Sequence, residues 1–221
     1  MIPEIPNPAS SKGIVHVVDD DQALRNAVGR LLRHAGYEPR LHASAADYLA
    51  ADDSGTPACI LLDLKMPGTS GLTLQQALLK RGNAHPIIFL TGHGDIPSTV
   101  RAVQDGALDF LTKPVKADHL LPAIALAMQK DLERRDRREY LDGVVALYKT
   151  LTPREKQVMS GVVAGLLNKQ ISYVLNSAER TVKTHRSRVM EKMRARSVPD
   201  LVRLAEELTE AGIRLQEFPR P

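Results

Sequence analysis

The chain has 221 residues with a formal net charge of +4; 43% of residues are hydrophobic, 25% charged and 4% aromatic. That composition excludes an intrinsically disordered chain, and the low aromatic content with no Trp argues against a stacking platform for single-stranded nucleic acid. No apolar run approaches the ~18 residues of a membrane span, and a lone cysteine, Cys59, excludes a disulfide framework or four-cysteine zinc site and suits a reducing cytoplasm.

In chain order, residues 1–13 carry four prolines or glycines without an apolar run, which reads as a loose tail rather than a signal peptide. Short apolar runs at Ile14–Val18, Cys59–Leu62, Pro86–Thr91 and Leu108–Leu111 read as buried strands, with Glu38–His42 a more exposed one. Between them lie helical spacings: Leu24, Val28, Leu31 and Leu32; then Leu72, Leu74, Leu78 and Leu79; then the stretches Ile96–Gln104 and Ala117–Met128. Strand and helix alternating through residues 14–128, with the strongest strands apolar on both faces, predict an α/β domain. It would be a five-stranded parallel, doubly wound sheet with helices on both sides.

Residues 129–150 read as a helical linker. Its charge-dense start, Gln129–Glu139, lacks the apolar seam of a dimerising coiled coil, which favours a solvated continuation of the preceding helix. Residues 151–212 then read as four helices. Thr152-Pro153-Arg154-Glu155 is a capping box, Asn168 a candidate cap for a short second helix, and Asn176–Ala178 a tight connection to a third helix ending near Met193. Ser197–Asp200 starts a fourth, striped by Leu201, Leu204 and Leu208, and residues 213–221 read as a tail.

Charge separates the halves. Residues 1–128 hold 11 basic against 13 acidic residues, a net of −2, while Leu151–Val198 holds 10 against 3, a net of +7. A mildly acidic domain joined to a basic module suggests two tasks, with polyanion binding in the second.

Ligands of a parallel sheet sit beyond the carboxyl ends of its strands. Strand one ends in Asp19-Asp20-Asp21 and strand three in Asp63, so carboxylates gather at that edge. Such acids repel one another unless a cation lies between them, and hard oxygen ligands select Mg²⁺, or Mn²⁺ as its relative. Strand four ends in Thr91 and strand five is followed by Lys113-Pro114. A carboxylate nucleophile, a cation, a hydroxyl and an ammonium together suit phosphoryl transfer. Each has a plainer reading: helix capping for the aspartates, a strand-end hydroxyl, an exposed cation. Their shared position at the strand ends favours the joint one, with Asp21 left to capping. Two other phosphate folds fail on the sequence. No Gly-x-Gly-x-x-Gly turn follows strand one, and Lys65 stands where a dehalogenase-like phosphatase needs its second acid.

Residues 14–128 resemble the receiver domain of bacterial two-component response regulators, through Val-Val-Asp-Asp, Leu-Asp-Leu-Lys-Met-Pro-Gly, Leu-Thr-Gly-His-Gly-Asp and Phe-Leu-Thr-Lys-Pro. The resemblance implies that Asp63 accepts a phosphoryl group from a sensor histidine kinase. It implies that Asp19, Asp20 and Asp63 hold Mg²⁺ with the backbone carbonyl of Lys65, and that Thr91 and Lys113 contact the phosphoryl group. It also implies a cis bond before Pro114 and a switch formed by Thr91 and Phe110, where the family often has Tyr.

In the basic module, two short helices around a tight connection suggest a helix-turn-helix. On the third helix, Val182, Val189 and Met193 can face the core, with His185 near that boundary, while Arg180, Lys183, Thr184, Ser187 and Arg188 share another face. An ordinary solvated helix is the plainer reading, and the paired helix with ten basic residues outweighs it. Residues 151–210 resemble the LuxR-type output domain, through Leu-Thr-Pro-Arg-Glu, Gly-Leu-Leu-Asn-Lys-Gln-Ile and Glu-Arg-Thr-Val-Lys-Thr-His-Arg-Ser-Arg. By that resemblance Lys183, Thr184 and Ser187 read bases. Lys169, Arg186, Arg188 and Lys192 contact the DNA backbone, with Arg180 on the same face, and the fourth helix is the dimer face. Ala178 and Asn176 depart from the family's usual serine and glycine, so Ser177 is a candidate replacement cap.

The whole resembles a NarL/FixJ-class regulator: a cytoplasmic protein phosphorylated on Asp63, dimerising or releasing its output domain, and binding promoter DNA. RNA polymerase is a further candidate partner, and no membrane is expected. A receiver reduced to a scaffold is opposed by the intact acids, Thr91 and Lys113. An enzyme in its own right is opposed by the lack of a substrate-binding motif, leaving self-phosphorylation and slow hydrolysis as the only expected catalysis.

Overall fold

The computed structural model describes residues 11–51, 56–80, 85–92, 106–216 and 218. The chain divides into two compact units, Met1–Arg134 and Arg135–Pro221.

The first unit holds a five-stranded parallel sheet in the order β2-β1-β3-β4-β5, with β1 Ile14–Val18, β2 Glu38–His42, β3 Ala58–Asp63, β4 Ile87–Thr91 and β5 Asp109–Thr112. β1, β3 and β4 are buried at every residue, which is why they read as continuous apolar runs; β2 is an edge strand and correspondingly mixed. Side chains alternate between faces and feed two cores. One gathers Val15, Val17, Leu61, Ile88 and Leu90 with Val28 and Leu32 of α1 (Gln22–His34) and Leu120, Ile124 and Ala127 of the long helix Ala117–Lys149. The other gathers Val18, Ile60, Leu62 and Phe89 with Tyr48 of α2 (Ala45–Ala50) and Leu74 and Leu78 of α3 (Gly71–Lys80).

Two helix details of this unit differ from the sequence expectation. Leu79 lies 52% exposed instead of completing the α3 stripe, because the buried face is already filled by Leu74, Gln75 and Leu78. The six-residue α2, capped by Ser44, is too short to show a periodicity. The expected helix Ile96–Gln104 lies outside the described residues.

α4 runs unbroken over Ala117–Lys149. Pro122 lies inside this helix, where it gives up the one N–H that would donate to the Asp118 carbonyl. The charged stretch is not solvated throughout: Asp131 is fully buried, its Oδ2 accepting from the Ala58 N–H at 3.0 Å and its Oδ1 from Arg134 Nη2 at 2.6 Å, with His85 Nδ1 at 3.3 Å.

In the second unit, the end of α4 supplies Val144 and Tyr148 to a core shared with α5 (Pro153–Val163), α6 (Asn168–Val174), α7 (Glu179–Lys192) and α8 (Val198–Glu210). Arg137 of α4 pairs with Glu207 at 3.4 Å and Glu210 at 2.6 Å on α8. The expected capping box is present: Thr152 Oγ1 accepts from the Glu155 N–H, and Glu155 accepts from the Thr152 N–H at 2.9 Å. Asn168, by contrast, does not cap α6. It sits one residue inside the helix, where its Oδ1 accepts from Arg186 at 3.1 Å, and Gln170 reaches back to the Leu167 N–H instead. Nor does Ser177 cap α7: the cap position is Ala178, which has no side chain able to accept. Asn176 reproduces the turn of the usual glycine, with φ at +45°, a conformation asparagine tolerates.

Candidate functional site

Strand register explains how residues far apart in sequence meet. Val18 pairs with Leu62, Asp63 with Leu90, and Thr91 with Thr112, so the carboxyl ends of β1, β3, β4 and β5 come level. Asp19 follows β1 and is fully buried; its Oδ1 accepts from the Asp21 N–H at 2.9 Å and its backbone carbonyl from Arg25 at 2.6 Å. Asp21 is the cap of α1, accepting from the Ala23 and Leu24 N–H groups, which frees Asp19 and Asp20 from that task. Asp63 ends β3 and is 6% exposed.

Lys113 joins the two buried acids, its Nζ lying 2.7 Å from Asp19 Oδ2 and 3.1 Å from Asp63 Oδ2. The cis bond between Lys113 and Pro114, and the Lys113 N–H donating to the Thr91 carbonyl at 2.8 Å, fix the backbone that carries it. Electrostatics follow from this crowding. Burial, and next the Asp19 charge, push the Asp63 carboxyl above its ordinary range despite the opposing pull of Lys113 and the Lys65 N–H. Burial lowers the Lys113 ammonium, but contact with Asp19 and Asp63 outweighs it and holds the lysine above its usual value.

One oxygen each of Asp19, Asp20 and Asp63 lies within 4.8 Å of the others, and Asp20 is exposed to solvent. Three carboxylates with one open side are a hard-oxygen donor set, and this fits a small divalent cation such as Mg²⁺. Among the described residues no other such cluster of His, Cys, Asp or Glu occurs.

Thr91 is buried at the end of β4, its hydroxyl donating to the Gly92 carbonyl at 3.0 Å rather than to the acids. Phe110 on β5 is half-buried and stacks on Phe89, with ring centroids 5.6 Å apart and planes 11° from parallel. Lys65 is exposed and its N–H lies 3.4 Å from Asp63 Oδ1.

Two supporting residues escape a motif reading. Arg25 clamps the Asp19 carbonyl from one turn inside α1, a pairing visible only once the helix start is placed. Gly71 opens α3 against β3: a Cβ there would overlap the Asp63 carbonyl oxygen and press on the Phe89 ring. The glycine is needed for that close approach.

In the second unit, Val182, Val189 and Met193 of α7 and its cap are buried, and His185 is half-buried. Arg180, Lys183, Thr184, Ser187 and Arg188 all face solvent. The Thr184 hydroxyl donates to the Arg180 carbonyl at 3.1 Å. Lys169 on α6 is exposed. Two of the expected polyanion contacts are engaged within the unit: Arg186 with Asn168, and Lys192 with Glu155 at 2.7 Å and the Thr150 carbonyl at 3.2 Å.

Comparison with known proteins agrees with this architecture. Residues 15–125 match the family model of the response regulator receiver domain, and residues 149–205 that of bacterial regulatory proteins of the luxR family. Nodulation protein W of Bradyrhizobium diazoefficiens is 45% identical over 200 residues, covering 90% of this chain and 88% of that protein. Transcriptional regulatory protein FixJ of Azorhizobium caulinodans is 41% identical over 194 residues, covering 86% and 90%. Among solved structures, response regulator StyR is similar with a TM-score of 0.75 and 44% identity over 88% of this chain and 98% of that one. Full-length FixJ from B. japonicum is similar with a TM-score of 0.55 and 37% identity over 91% and 99%. A parallel sheet with acids at its carboxyl edge, followed by a basic helix-turn-helix and matched by relatives along nine-tenths of the chain, places this protein among the two-component response regulators that join a receiver domain to a LuxR-type DNA-binding domain.

Proposed function

We propose that the protein takes a phosphoryl group on Asp63 from a sensor histidine kinase and thereby gains affinity for promoter DNA. The observation that carries this is Lys113 bridging two buried carboxylates, Asp19 and Asp63, at the open edge of the sheet. In the transfer, a carboxylate oxygen of Asp63 bonds to phosphorus as the P–N bond to the kinase imidazole breaks, the electron pair returning to nitrogen. Asp19, Asp20, Asp63 and the Lys65 carbonyl would hold Mg²⁺ or Mn²⁺, which when bound neutralises the phosphoryl oxygens. Lys113 remains beside the modified oxygen as counter-ion. The Thr91 hydroxyl turns from the Gly92 carbonyl to donate to the phosphoryl group, and Phe110 packs inward behind it.

The receiver task belongs to residues 14–128 and DNA binding to residues 151–212. Residues 129–150 join them, and the end of that segment folds with the output core through Val144 and Tyr148. Lys183, Thr184 and Ser187 read base edges in the major groove, while Arg180, Arg188 and Lys169 meet phosphates. Arg186 and Lys192 are assigned there as well, on condition that they exchange Asn168 and Glu155 for phosphate oxygens. Phosphorylation promotes a homodimer, so that two α7 helices meet two half-sites, and RNA polymerase is the natural further partner on a promoter. The cytoplasm is the compartment that supplies both kinase and DNA, consistent with the absence, among the described residues, of a helix long and apolar enough to cross a membrane.

Incubating the chain with acetyl phosphate and Mg²⁺ and weighing it intact tests the reading. One phosphoryl group should add to the native chain and none to Asp63→Asn. Equal labelling of both would place the acceptor elsewhere.

A further inference from the structure

α6 presents an unassigned residue beside the recognition helix. Tyr173 is 81% exposed, the most exposed large aromatic or aliphatic side chain described. A tyrosine ring left open to water forgoes the burial that usually accounts for its presence, so its polar tip calls for an explanation. Its surroundings narrow the choice. At 100° per residue, Tyr173 and Lys169 both lie about 160° around the helix from Ile171, one on each side of the outermost line. Ile171 is fully buried. The ammonium and the phenol therefore stand one turn apart on the face opposite the core. Neighbouring donors are already engaged: Arg154 with the Leu175 carbonyl at 2.6 Å and Gln157, Ser172 with the Lys169 carbonyl, Arg186 with Asn168. In a helix-turn-helix the first helix crosses the sugar–phosphate backbone while the second enters the groove. The stretch around it carries a net of +7, which selects a polyanion over an apolar protein surface as the occupant.

We infer that the Tyr173 hydroxyl, one turn from the Lys169 ammonium, donates to a backbone phosphate and forms a sequence-independent anchor that positions α7 in the groove. This rests on the DNA-binding reading above. The two donors leave different signatures. Lysine releases a condensed counter-ion when it neutralises a phosphate, so its removal lowers the slope of log affinity against log salt by about 0.9. The neutral phenol releases none, so its removal weakens binding without altering the slope.

The test uses the full chain with acetyl phosphate and Mg²⁺. Fluorescence anisotropy is followed across a salt series on two duplexes, one of random sequence and one selected from a random library by the wild-type chain. Tyr173→Phe, which deletes only the hydroxyl of an exposed ring, should weaken both duplexes equally, by roughly tenfold, with the slope unchanged. Lys169→Ala should weaken both with a shallower slope. Wild-type affinity in Tyr173→Phe overturns the inference, as does a loss confined to the selected duplex, which would make Tyr173 a reader of sequence. Loss in Tyr173→Ala but not in Tyr173→Phe also overturns it, assigning ring packing instead of a hydrogen bond. A wild-type chain that binds neither duplex would remove the DNA-binding reading itself.

Discussion

Asp131 ties the long helix to the sheet, and its removal is the sharpest structural perturbation available. Its carboxylate is fully buried within the first unit and holds the Ala58 N–H at the start of β3, the Arg134 guanidinium and the His85 ring. Asp131→Ala leaves the Ala58 N–H without its acceptor, at a cost of about 1–3 kcal/mol. It also removes the counter-charge of Arg134. Breaking a fully buried pair costs about 3–5 kcal/mol, but Arg134 is 32% exposed and water screens it, so roughly 1 kcal/mol is the fair share. The sum is about 2–4 kcal/mol, or an opening of the β3 edge roughly 30- to 700-fold more frequent at 1.4 kcal/mol per tenfold. Hydrogen exchange read on peptides covering residues 56–63 measures that opening locally, without assuming that the two units unfold together. Asp131→Asn, which keeps an acceptor, should lose less than half as much in free energy. Protection in Asp131→Ala within threefold of wild type would refute the reasoning and return residues 129–139 to a solvated linker.

Other outcomes follow from the site and the basic module. Burial raises the Glu155 carboxyl, yet Lys192 and the Thr152 N–H outweigh it and hold it below the usual range; the interaction therefore stabilises the second unit above about pH 4.5 and is lost as pH falls through the lowered value. Glu155→Gln, which keeps an acceptor for the Thr152 N–H but loses the charge pair with Lys192, should cost that unit about 0.5–1 kcal/mol near neutrality and flatten its acid unfolding, read by circular dichroism against pH. Gly71→Ala, which drives a methyl into the Asp63 carbonyl, should slow labelling by acetyl phosphate by on the order of tenfold or more while the chain remains folded. Lys183→Ala should cost about 1–3 kcal/mol on a selected duplex and much less on random DNA, narrowing the ratio between them; an equal loss on both would make it a phosphate contact.

Much of this arrangement is legible in the residues because local chemistry and topology agree. β1 and β2 fall at the expected bounds, since one is apolar on both faces and the other is a mixed edge strand. Asp19 and Asp63 converge because parallel strands end at one edge, and Asp21 separates from them because a helix start needs a cap. Local pattern fails where a long-range partner decides. Asp131 sits in a charge run that looks solvated, and only the distant Ala58 and His85 make it a core residue. Val144 and Tyr148 read as linker because their partners, such as Val158 and Leu208, lie in later helices. Asn168 has the chemistry of a cap but is drawn away by Arg186, while Gln170 takes over the task.

The coupling of Asp63 modification to DNA affinity is measured most directly by titrating the full chain against a selected duplex with and without acetyl phosphate and Mg²⁺, beside Asp63→Asn. Tighter binding after phosphodonor treatment in the native chain, with no gain in Asp63→Asn, is the predicted result. An equal gain in both proteins, or a labelled native chain that binds no more tightly than the unlabelled one, would contradict it.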